Sequence, residues 1–92
     1  MKLDKEVKDF SKYNMEEKID KVVATLSKVA EVMMWYTASN FKKDNFIYVV
    51  LQLGNHRTLH IEDLETIHSV SPLSIETYID GNNVFLEIQV KL

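Results

Sequence analysis

The sequence predicts a two-layer α+β domain, with one or two N-terminal helices packed on a four-stranded, mostly antiparallel sheet. Two periodicities and the chain length predict it. Met15, Ile19, Val22, Leu26, Val29, Met33 and Tyr36 recur at alternating steps of four and three, the seam of an amphipathic helix. Beyond Asn45 the rhythm changes, and Ile47, Val49, Leu51 and Leu53 recur at every second residue, as on one face of a strand. A chain of 92 residues sustains one core, not two, so residues 1–92 form a single domain.

Each element follows from local chemistry. Leu3, Val7 and Phe10 fit a short helix over about 3–11, but continuing the main seam backwards would place Lys12, Lys8 and Lys5 on the core side. The chain therefore breaks at Asn14, whose side-chain oxygen caps a second helix while Glu17 supplies the reciprocal acid. That helix is predicted over about 15–40, with Asn40 as a left-handed stop and Lys42 and Lys43 near its negative end. Phe46 to Leu53 is the first strand. Gly54-Asn55-His56 turns into a second strand, Arg57 to Glu62, in the register that sets Leu59 against Leu51 and Ile61 against Val49. Asp63 to Pro72 fits both helical and extended spacing and is read as a short helical turn. Leu73 to Asp80 and Val84 to Leu92 form a hairpin around Gly81-Asn82, whose glycine-first order suits a type II′ turn. Its register pairs Ile79 with Val84, Tyr78 with Phe85, Glu76 with Glu87 and Ile75 with Ile88.

Composition excludes several classes. Hydrophobic residues make up 46% and charged residues 27%, with only two Gly and one Pro, which describes a folded chain without a linker or low-complexity segment. There is no Cys, hence no disulfide framework and no thiolate metal cluster. The start, Met1 to Glu6, lacks an apolar signal region and no run reaches spanning length, so a cytoplasmic location without a membrane partner is expected. Residues 1–43 carry nine Lys against seven acids, and residues 44–92 carry Arg57 and Lys91 against seven acids, so the halves stand near +2 and −5. An acidic sheet repels phosphate, which argues against nucleic acid as a partner. Ten Lys to one Arg, with six Asn, fits an AT-rich coding source such as a low-GC bacterium or its phage.

Motifs for chemistry are sparse. Gly54 and Gly81 are the only glycines, too few for a phosphate loop, and no Ser or Thr sits in a nucleophile signature. Lys42 and Lys43 with Phe41 and Phe46 imitate a single-strand nucleic-acid platform, but two lysines at a helix end serve the dipole as well. His56, His60 and His68 lie near Glu62, Asp63 and Glu65, which raises a metal-dependent or acid–base enzyme using His60 and His68. The spacing is poor, because four residues of strand between His56 and His60 span roughly 13 Å. No cofactor is predicted. A ligand cavity between helix and sheet is a further class, which the aliphatic columns look able to close.

The strongest functional signal is an apolar surplus. Phe46, Tyr48, Val50, Tyr78 and Phe85 fall on the sheet face that should be wet. On the predicted helix, Trp35 points opposite Leu26, with Val32 and Met34 beside it. Either the short first helix covers Trp35, or these residues are a contact surface. The expected function is thus a non-enzymatic protein-binding module, an inhibitor, an adaptor or the subunit of a homodimer, acting by occlusion or bridging. Trp35, Val32, Met34, Phe46, Tyr48, Tyr78 and Phe85 are the expected contacts, and Glu76 and Glu87 orient a basic partner.

Overall fold

The computed structural model describes residues 15–54 and 58–92. Helix α1 covers 15–26, followed by β1 (Glu31–Ser39), β2 (Asn45–Gly54), α2 (Ile61–His68), β3 (Ser74–Asp80) and β4 (Asn83–Lys91). The four strands form one antiparallel sheet in the order β1-β2-β4-β3, so the α+β class is as predicted. The predicted helix over 3–11, its cap at Asn14 and the turn residues Asn55 and His56 lie outside the described residues.

Alternation along β2 and β4 sends Ile47, Val49, Leu51, Leu86, Ile88 and Val90 to one face, where they are buried. Ile19, Val22 and Leu26 from α1 and Ile67 from α2 close over them in the same apolar cluster. Both helices thus cover one face of the sheet. Fully burying each such Val, Leu or Ile contributes about 1.5–3 kcal/mol, so this face carries the main stabilisation.

The structure corrects two element assignments. The seam from Met15 holds to Leu26, but the helix ends there rather than near Asn40. Its last carbonyls are closed by shorter loops, Lys28 N–H to Thr25 O at 3.2 Å and Val29 N–H to Leu26 O at 3.0 Å. Residues 31–39 then form an edge strand on β2. A bulge between Val32 and Met34 breaks the two-residue period of this strand, so that Met33 and Tyr36 fall by coincidence at the spacing of the helix seam. The predicted strand Arg57–Glu62 is likewise replaced, since residues 61–62 begin α2 and no strand runs through 58–60. His60 N–H donates to Asp63 Oδ2 at 3.0 Å, and Glu62 and Asp63 occupy the positive end of the helix. The pairing of Leu59 with Leu51 and Ile61 with Val49 therefore does not occur; Leu59 still packs on the core, while Ile61 is exposed. The helical turn predicted in 63–72 is real and starts two residues earlier.

The hairpin β3–β4 keeps the predicted register throughout, including Ile79 with Val84, Tyr78 with Phe85 and Ile75 with Ile88. Gly81 adopts φ +61 while Asn82 does not take positive φ, as a type II′ turn requires.

Candidate functional site

The sheet face away from the helices has no cover among the described residues. Opposed residues of an antiparallel ladder share a face, so Met34, Tyr36 and Ala38 on β1 lie beside Phe46, Tyr48 and Val50 on β2. Phe85, Glu87 and Gln89 on β4 continue the row, and Glu76 and Tyr78 on β3 finish it. Most of these side chains are partly or fully accessible, Met34 to 53%.

Hydrogen bonds tie this face together across the strands. Tyr36 stacks on its cross-strand neighbour Tyr48 with ring centroids 4.9 Å apart and planes 11° from parallel. The Tyr36 hydroxyl donates to Glu87 Oε1 at 2.8 Å, and the Tyr78 hydroxyl donates to Glu87 Oε2 at 2.6 Å. Glu76 Oε2 stands 3.2 Å from the same Tyr78 oxygen. Gln89 completes the links, donating to the Tyr48 hydroxyl at 3.1 Å and accepting from Ser74 Oγ at 3.0 Å. The Glu76–Glu87 opposition is thus real. It is moderated by a phenol between the carboxylates, not by Lys91, which instead lies 3.9 Å from Asp44.

The tyrosines record this field. Hydrogen bonding to Glu87 is the main reason both phenols are held above the usual value, since ionisation would break that bond and set a phenolate beside a carboxylate. Desolvation adds to both, and Glu76 contributes.

Of the expected contact residues, Met34, Phe46, Tyr48, Tyr78, Phe85, Glu76 and Glu87 share this face. Trp35 and Val32 do not. Trp35 lies opposite Val49 and Val32 opposite Leu51, on the helix-covered side, where Val32 packs on the core and Trp35 stays 46% exposed at the sheet's edge. Sequence reasoning missed Tyr36 and Met33. Tyr36 was assigned to the helix seam, and its true signal was the two-residue step from Met34. Met33, the bulged residue, joins Met34, Tyr36, Val50, Tyr78 and Phe85 around an open bowl of about 420 Å³, to which Asp80 and Glu87 bring carboxylates.

The two histidines suspected of catalysis stand at opposite ends of α2. His60 precedes α2, His68 sits in its last turn, and no group of three or more His, Asp or Glu among the described residues is placed to hold a metal. Lys42 and Lys43 belong to the β1–β2 hairpin loop, with Lys42 Nζ 6.0 Å from the Phe41 ring centre. A second concavity of about 420 Å³ on the helix side is lined by Lys18, Lys21, Thr25, Ser69 and Ser71. No helix among the described residues is long and apolar enough to cross a membrane. No protein-family model matches the chain, and no match was found among curated proteins or solved structures.

Proposed function

We propose that the protein is a non-enzymatic binding module whose contact surface is the uncovered face of the sheet. One observation carries this reading: Met34, Tyr36, Val50, Tyr78 and Phe85 gather around Glu87 as one largely apolar and aromatic patch on the face that α1 and α2 leave bare. Single exposed apolar side chains are ordinary, but a patch of Met and Tyr matches the composition of interface cores. The hydrogen bonds from Tyr36 and Tyr78 to Glu87 fix the rings before a partner arrives, which lowers the entropy lost on binding. Function then follows by occlusion or bridging of another protein, as an inhibitor or adaptor does.

The test is affinity capture with the full chain from cells that carry it, comparing wild type with Met34→Lys. Met34 is exposed and absent from the core, so the variant folds and sets an ammonium at the β1 end of the patch. Loss of a stoichiometric partner in the variant supports the reading. A partner retained undiminished by Met34→Lys overturns it.

A further inference from the structure

The bowl on the open face combines aromatic walls with carboxylates, with no cationic side chain among its described lining residues. We infer that it receives an arginine side chain of the partner, presented from an apolar segment, with Glu87 as its principal acceptor. This rests on the open face being the contact surface and names the chemistry that the face recognises.

Charge complementarity selects the occupant. Glu76, Glu87 and Asp80 all lie on this part of the sheet, and among the described residues no lysine or arginine lines the bowl. Lys91, on the same strand as Glu87, is drawn toward Asp44. A second copy packed face to face would meet this acidic patch with another of the same sign, and like charges in a desolvated interface are strongly unfavourable. A basic partner removes that penalty.

Geometry favours guanidinium over ammonium. Each oxygen of Glu87 already accepts one phenol, Oε1 from Tyr36 and Oε2 from Tyr78. A carboxylate oxygen accepts about two hydrogen bonds, so each keeps room for one more. A guanidinium donates in parallel to such a pair, whereas an ammonium meets it as a point charge. The Tyr36, Tyr78 and Phe85 rings provide faces on which a planar cation stacks, and Met33 and Met34 adapt to the apolar neighbours of the arginine.

The experiment uses two synthetic amphipathic peptides that differ at one central position, arginine in one and the neutral isostere citrulline in the other. Each is titrated into the labelled full chain and followed by NMR. The expected result is that the arginine peptide shifts Met33, Met34 and Val50 signals and binds at least about tenfold more tightly than the citrulline peptide. Glu87→Gln should remove that preference, and Glu62→Gln, on α2, should leave it intact. Equal binding of both peptides on this face would overturn the arginine assignment while leaving the face as a protein contact. No shift of these signals by the arginine peptide at millimolar concentration, or equal losses in Glu62→Gln and Glu87→Gln, would also overturn it. Failure of the open face itself is read separately, from partner capture by Met34→Lys.

Discussion

At the scale of single residues, the molecule depends on a few polar side chains that the hydrophobic pattern does not advertise. Asn40 organises the β1–β2 loop: its Oδ1 accepts from Lys42 N–H at 2.9 Å and from Asp44 N–H at 3.0 Å, and its Nδ2 reaches Asp44 Oδ2 at 3.2 Å. Asn40→Ala removes all three bonds, and urea unfolding should show a loss of about 1–2 kcal/mol. Lys43 in the same loop has φ 65, so Lys43→Gly should be neutral or stabilising by up to about 1 kcal/mol in the same assay. The sequence reading made Asn40 a left-handed helix stop; the structure instead uses its side chain to hold the loop, and the left-handed position falls at Lys43. Glu87 is the other such residue. Because the Tyr36 and Tyr78 pKa values are raised by folding, the neutral phenols add stability that is fully present below the unfolded value of about 10. It is lost as pH rises through the higher folded values. The urea midpoint should therefore fall in alkali more steeply for wild type than for a Tyr36→Phe/Tyr78→Phe variant. Tyrosinate absorbance in Glu87→Gln should rise at lower pH than in wild type; identical titration curves would contradict the assigned bonds.

At the scale of elements, legibility followed the regularity of the ladder. β3 and β4 alternate without interruption around a glycine turn, and their register could be read residue by residue, from Ile79–Val84 to Ile75–Ile88. β1 could not. Its bulge at Met33 breaks the two-residue period, and Val29, Met33 and Tyr36 then continue the seam of α1 by coincidence. The run Val32 to Thr37 is rich in β-branched and aromatic residues, and that enrichment was the available counter-signal. Helix α2 was half seen: the spacing of Leu64, Ile67 and Val70 signalled a helix, although Leu64 stays exposed, while Glu62 in its acidic first turn was read as a strand end. Ile67 anchors this helix to the core, so Ile67→Ala should cost about 2–5 kcal/mol, measured by thermal or urea unfolding, against little change for the exposed Ile61→Ala.

At the scale of the whole molecule, two helices cover one face of the sheet, and the other, which has no cover among the described residues, is the proposed contact surface. The surplus of apolar groups was visible in the sequence, and so was the common face of six of the nine residues expected as contacts, those on β2, β3 and β4. Convergence with Met34 and Tyr36 was not visible, because it depends on residues 31–39 being a strand beside β2. Trp35, the most conspicuous side chain, lies on the helix-covered side for the same reason. The most direct test labels the methionine methyl groups and records their spectrum with and without the captured partner. Met33 and Met34 sit on the open face and Met15 packs against the core, so the account predicts that the first two shift or broaden on binding while Met15 holds its position. Unmoved Met33 and Met34 signals in a saturated complex would contradict it.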